Sequence, residues 1–190
     1  TGPVDVESLI LRTAAIRGAD ERLTVCAASW LAAFHDFVDG RRLSDRARAS
    51  TALTRAYLGA LLTLATDAPG GAGRAPQFAT TLSHCRPLRS ARAYYDIVES
   101  MPPFREWMRT HSLPLFSRWG LWHDDATLKL ESVRPLDTIL KVPELRARAL
   151  FGPSIEAACL SHTLHHVTNA RRLSKEINAT YAATHAAVQR

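Results

Sequence analysis

Lysine is scarce in this sequence: of 24 basic residues only Lys129, Lys141 and Lys175 are lysines, which leaves 21 arginines. Cysteine is scarce too. Cys26, Cys85 and Cys159 form no CxxC and cannot all pair, so a disulfide framework and zinc-finger spacing are both missing, and a reducing compartment is the natural reading. The longest apolar runs, such as Leu58 to Ala65, fall far short of the ~20 residues of a membrane span. No signal-peptide pattern opens the chain. Thr1-Gly2-Pro3 also lacks an initiator Met, which suggests a fragment, the C-terminal part of a longer protein. No GxSxG occurs, and no GK[ST] follows the glycines at 70, 71 and 73, so neither a nucleophile elbow nor a phosphate loop is present. Internal repeats are absent as well.

What remains is ordinary for a folded protein: 190 residues, 46% hydrophobic and 22% charged, enough for one domain with a real core. The net charge of +6 and a pI near 9.7 set it apart. Two origins compete for the arginines. A GC-rich genome favours Arg and Ala codons, whereas the planar guanidinium fork suits phosphate. Either way the surface is positive and attracts polyanions.

Hydrophobic spacing predicts helices nearly throughout, hence an all-α class: one irregular multi-helix domain over 1–190 with a long C-terminal helix. Val4 to Arg17 forms the first, ended by Gly18. Asp20 caps a second, running to about Val38, with Leu23, Cys26, Trp30, Phe34 and Phe37 on its apolar stripe. Asp39-Gly40 turns, and Ser44 caps a third that runs to about Thr66 with Leu53, Tyr57, Ala60, Leu61 and Leu64 inward. Pro69 to Pro76 is a mobile loop. A short helix from Gln77 to His84 follows, then a helix through Tyr94, Ile97 and Val98, and another from Phe104 to Thr110. Trp107, Trp119 and Trp122 fall within sixteen residues and make a minicore or a binding surface. Thr127 to Val133 alternates apolar and polar, so at most one short strand or hairpin is expected near 127–133. Leu136 to Leu140 and Pro143 to Phe151 are two more short helices.

The stretch from Gly152 to Arg190 holds no further Gly or Pro after Pro153 and reads as one helix, roughly 55 Å long at about 1.5 Å per residue. Its stripe is Ile155, Cys159, Ala170, Leu173, Ile177, Tyr181 and Val188, widened by Leu160, Leu164 and Val167. His162 and His166 share a face on it and could chelate a divalent metal. The run Ser161-His162-Thr163-Leu164-His165-His166 resembles the metal-binding helix of DinB-type four-helix bundles, whose HxxxH pair takes a third histidine from another helix. His35, His84 and His123 are the candidates for that third. The downstream residues of the pattern are absent and the chain is too long for it, so histidines that hydrogen-bond within the core are the reading preferred. No metal, cofactor or catalytic residue is assigned. Cys85 beside His84 is badly placed for nucleophilic attack, Asp124-Asp125 reads as a solvated turn, and the Asn178-Ala179-Thr180 sequon lies on an expected helix.

Three basic clusters remain as candidate polyanion-binding residues: Arg41, Arg42, Arg46 and Arg48; Arg86, Arg89 and Arg92; Arg171, Arg172 and Lys175. Arg55 adds to the first. Their convergence would recruit RNA, DNA or anionic lipid by phosphate contacts, salt-sensitively and with little sequence readout.

The Arg/Ala-rich texture, the Trp30 to Phe37 helix, the Pro69 to Pro76 loop after a long helix and the basic terminal helix from Pro153 resemble the tegument proteins of GC-rich alphaherpesviruses. Among them the chain is most similar to the C-terminal domain of the tegument protein encoded by unique-long gene twenty-one. That resemblance implies an α-helical fold without catalysis, RNA and lipid binding through basic residues, and association with other viral tegument proteins in virion assembly, capsid transport and cell-to-cell spread. It implies the virion tegument and the host cytoplasm as locations, with the nucleus as a further one. The expected function is a non-enzymatic viral binding module. The rivals are a metal-dependent helical-bundle enzyme using His162 and His166, and the ligand-binding domain of a helical bacterial regulator with a tryptophan-lined pocket.

Overall fold

The computed structural model of the chain describes residues 4–16, 19–165, 169–177 and 179–189. It is an all-α protein whose described residues hold one two-stranded sheet. Contacts divide it into two compact units, Val6–Val133 and Arg134–Arg190 with Thr1–Asp5. No helix among the described residues is long and apolar enough to cross a membrane.

In the first unit α1 (Val6–Ala15), α2 (Glu21–Phe34), α3 (Gly40–Arg48) and α4 (Ala52–Asp67) are followed by α5 (Ala79–His84), α6 (Asp96–Glu99), α7 (Pro102–His111) and α8 (Pro114–Ser117). The helix expected from Ser44 to Thr66 is two helices. Asp39 caps α3 by accepting the Arg42 N–H at 3.0 Å, and Thr51 caps α4 by accepting the Thr54 N–H at 3.1 Å, while Ser44 lies buried within α3. α4 is the hub. Apart from Arg55, every residue from Thr54 to Thr66 is buried, and the helix packs against α1, α2, α3, α5 and α8. A helix apolar on all sides needs neighbours on all sides.

Trp119 binds that hub from outside. Its ring lies so close over Gly59 that a Cβ there would stand 2.7 Å from ring carbon, and its Nε1–H donates to Thr63 Oγ1 at 3.0 Å. Arg118, 5.6 Å from the Trp119 ring centre, donates to the same hydroxyl and to Asp67.

Several expected faces are turned. On α2 the buried residues are Thr24, Ala28, Ser29, Leu31 and Ala32, while Leu23 and Cys26 are exposed. The buried face of α2 is thus built mostly of small residues, with Leu31 the one large side chain. The Val4 to Arg17 helix is Val6–Ala15, and its proposed end at Gly18 lies outside the described residues. The Pro69 to Pro76 loop is anchored: Ala72 and Gly73 donate N–H bonds to the Ala65 and Thr66 carbonyls and so close the end of α4.

The helix expected through Tyr94, Ile97 and Val98 is found only as the short α6 over its last part, and its first part is β1 (Arg92–Ala93), which pairs in parallel with β2 (Leu121–Trp122), Arg92 opposite Leu121 and Ala93 opposite Trp122. Gly120, at φ 70°, lets the chain pass against the Leu88 backbone. The strand expected near 127–133 is instead a single 3-10 turn at Leu130–Ser132, with the Lys129 N–H donating to Ser29 Oγ.

The second unit holds α9 (Leu136–Ile139), α10 (Pro143–Phe151), α11 (Ile155–His165), α12 (Ala170–Glu176) and α13 (Tyr181–Val188). The single terminal helix is therefore overturned. Gly152, at φ 68°, ends α10, and both Asn169 and Thr180 take extended backbone, each accepting the N–H three residues on to start a new helix. Capping residues, with no Gly or Pro, divide the stretch. The helices fold back on one another, so Cys159, Leu173 and Ile177 form a small core with Ile155, Ala158, Ala179 and Ala187 packed on it. Tyr181 and Val188, expected on the buried stripe, are exposed.

Thr180→Ala separates the two geometries by sign. In one continuous helix alanine would stabilise, whereas loss of this cap lowers unfolding stability by about 1 kcal/mol. Urea denaturation of wild type and variant is expected to show the loss.

Candidate polyanion-binding face

On α3 the residues Arg41, Ser44, Asp45 and Arg48 recur at helical spacing along one face. With Gly40, Pro76, Gln77 and Thr80 they line an open depression of about 320 Å³. Gly40 is what lets the two segments approach, since a Cβ there would collide with the Gln77 carbonyl oxygen. Arg41 is exposed and has no acidic partner among the described residues. Arg48 pairs with Asp45 at 2.5 Å.

Arg42 turns the other way. Its guanidinium lies 3.6 Å from the fully buried carboxylate of Glu7, which also accepts the Asp39 N–H at 2.9 Å, so it fastens α3 to α1. Arg46 is half-buried.

Around the C-terminal ends of α3 and α5, Arg55 donates to the Ser50 and Arg48 carbonyls and Arg86 to the Ser83 and Cys85 carbonyls. Cations at such ends complement exposed carbonyl groups. Both arginines face the Cys85 thiol, yet its burial outweighs them and pushes its pKa up to about 11. With the thiol donating to the Thr81 carbonyl, Cys85 is a packed side chain and a poor nucleophile.

Beyond α5 the chain is extended. Arg89 is exposed without an acidic partner among the described residues, and Arg92 pairs with Asp96 at 2.8 Å. On α12 of the second unit Arg171 and Lys175 are exposed and uncompensated in the same sense, while Arg172 pairs with Glu176 at 2.9 Å. Arg41 and Arg48 thus line one depression, with Arg48 held by Asp45, and Arg42, Arg92 and Arg172 are likewise each met by a carboxylate.

His166 lies outside the described residues, as does the side chain of His165. His162 Nδ1 lies 3.4 Å from Glu176, and no group of three or more metal-ligating side chains occurs among the described residues. No tryptophan ring meets another there. Trp107 stacks on Phe104 and His111 at the surface of α7, far in chemistry from the Trp119 clasp on α4.

Sequence reasoning missed a buried aromatic cluster. Tyr94 meets Tyr57, Tyr95, Phe116 and His123 with ring centres 5.0–6.0 Å apart, edge-on to Tyr95 and Phe116 and stacked on His123, and the β1–β2 pairing brings it together. Burial raises the pKa of both Tyr94 and Tyr95 and lowers that of His123, against the opposing pull of Asp124, Asp125 and Glu21. Asp125 accepts both the N–H and the hydroxyl of Thr127, which holds its carboxyl below the usual range. The signal for this cluster was present in Tyr94-Tyr95, but only a strand pairing across some thirty residues joins it to His123.

Comparison with protein-family models, with curated proteins and with solved structures gives no match.

His123 makes stability pH-dependent. Its folded pKa is depressed below the ordinary ~6.5, so the unfolded chain binds the proton more readily and stability falls as pH drops from above 6.5 through the folded value. In urea titrations between pH 8 and 5, His123→Phe is expected to flatten this part of the profile relative to wild type.

Proposed function

We propose that the chain is a non-enzymatic binding module that takes up polyanions, single-stranded RNA first among them, through the arginines of α3 and of the segment after α5. The observation that supports this reading is uneven compensation. Arg41, Arg89, Arg171 and Lys175 are exposed with no acidic partner among the described residues, and Arg86 meets only neutral carbonyls. Fixed cations with no local counter-charge attract phosphate and release its counterions on binding.

The binding set is narrower than the ten residues expected from sequence. Arg42 belongs to the α1–α3 junction, Arg92 and Arg172 are tied to acids four residues on, and Arg48 is held by Asp45 three residues before it. The resemblance of the sequence to alphaherpesvirus tegument proteins supports a place among virion proteins, where contacts with other tegument proteins would serve assembly, transport and spread.

Filter binding of single-stranded RNA is expected to give roughly micromolar affinity at low salt, weakening steeply as salt rises. Replacing Arg41, Arg86 and Arg89 together by alanine should flatten the log–log salt slope by about 2, at ~0.7 per lost phosphate contact. Arg172→Ala, which removes a compensated charge, should change it little. Absence of retention at low salt, or equal effects of the two variants, would overturn the reading.

A further inference from the structure

The depression between α3 and the Pro76–Thr80 segment contains more than charge. Ser44 lines it with only 1% of its surface exposed, and its hydroxyl has no hydrogen-bond partner among the described residues. Across from it Gln77 also lines the depression, and its Nε2 is equally buried and equally without a partner. Buried donors are costly to leave unpaired. Two such donors on residues that line one depression, beside the uncompensated Arg41, point to an acceptor that comes from outside the chain.

The chemistry of that acceptor is constrained. A hydroxyl, an amide NH2 and a guanidinium all donate here, so the partner is rich in acceptor oxygens. Arg41 and Arg48 stand against the single carboxylate of Asp45, which Arg48 already holds at 2.5 Å, and the opening is left net positive. Its volume of about 320 Å³ admits a small group. A phosphodiester strand has two bulky substituents and suits an open surface, whereas a terminal phosphate presents three oxygens to several donors lining one depression.

We propose that this depression is a binding site for a phosphomonoester group, with Ser44 Oγ and Gln77 Nε2 donating to its oxygens and Arg41 and Arg48 supplying the positive charge. The proposal rests on the same arginine face as the polyanion reading. Its distinguishing residues are neutral, however, so the two can fail separately. The group arrives either on a small soluble molecule or on a lipid headgroup.

The test uses the whole chain and follows its thermal midpoint in inorganic phosphate and in glycerol phosphate, against sodium chloride of matched ionic strength. Wild type is expected to show a saturable rise beyond the chloride control. Ser44→Ala should leave the ligand-free protein as stable or slightly more stable, since it deletes an unpaired buried hydroxyl, and should weaken phosphate binding about tenfold or more. Gln77→Met, of similar volume without the donors, should do the same. Both variants should keep the wild-type RNA affinity and salt slope. Sedimentation with phosphatidic acid vesicles, compared with phosphatidylcholine alone, identifies the source: retention assigns a lipid headgroup, and a midpoint shift without retention a soluble ester. A wild-type midpoint that tracks ionic strength alone, or variants that keep the full phosphate shift, would overturn the site while leaving RNA binding standing. Loss of RNA binding in wild type as well would remove the polyanion reading with it.

Discussion

Burial of α4 on every side is the constraint from which the larger unit follows. A sixteen-residue helix whose middle is all Ala, Leu, Thr, Tyr and Gly cannot offer a face to water, so five other helices must cover it. Its polar groups then need partners within the protein. Thr66 turns its hydroxyl back to the Leu62 carbonyl, as threonines within helices commonly do, and Thr63 accepts from both Trp119 and Arg118. Gly59 matters for the same reason. It gives the Trp119 ring the room to reach Thr63, so one small residue and one hydroxyl a turn later make a single socket.

That arrangement explains part of the arginine excess without reference to a ligand. Arg118 lies against an aromatic ring and bonds to a hydroxyl and a carboxylate at once, Arg55 and Arg86 each reach two carbonyl oxygens, and Arg42 meets a carboxylate removed from water. A lysine ammonium is a point charge and cannot satisfy such forked geometries while its stem stays packed. Codon preference and phosphate affinity are therefore joined by a third reason for arginine, which is multidentate bonding within the fold. The arginines open to a partner are those left after this requirement is met, together with Arg86, whose neutral carbonyl partners leave its charge uncompensated.

The helical class was legible because 3.6-residue spacing is a strong signal, and α5, α7 and α10 fell within a few residues of their expected bounds. Asp20 as a helix cap was legible for the same local reason. Breaks made by caps were harder. Thr51, Asn169 and Thr180 end no apolar pattern, because each new helix resumes the spacing of the last, and only the extended backbone at the cap betrays the division. The paired strands at Arg92–Ala93 and Leu121–Trp122 were invisible, since two residues cannot display a period of two and their partners lie about thirty residues apart. Of the candidate site, Arg41 and Arg48 were legible only as neighbours in a basic run, because the expected helix began at Ser44 and left Arg41 in the turn before it. That Arg42 points to Glu7 was not, because it depends on where α1 docks.

The same dependence decides how the surface works. Residues 41 and 42 are adjacent arginines with nothing in the sequence to tell them apart, yet one is exposed beside a depression and the other fixes a buried carboxylate. Helical geometry sets neighbouring side chains about 100° apart, so once Leu43 and Ala47 are buried against the core the roles of 41, 42, 44 and 48 are assigned together. Glu7, by holding both Arg42 and the first turn of α3 through the Asp39 N–H, sets that rotation. A carboxylate that touches no external group thus determines which cations face outward, and the positive face of the protein is a consequence of how α3 is anchored from behind.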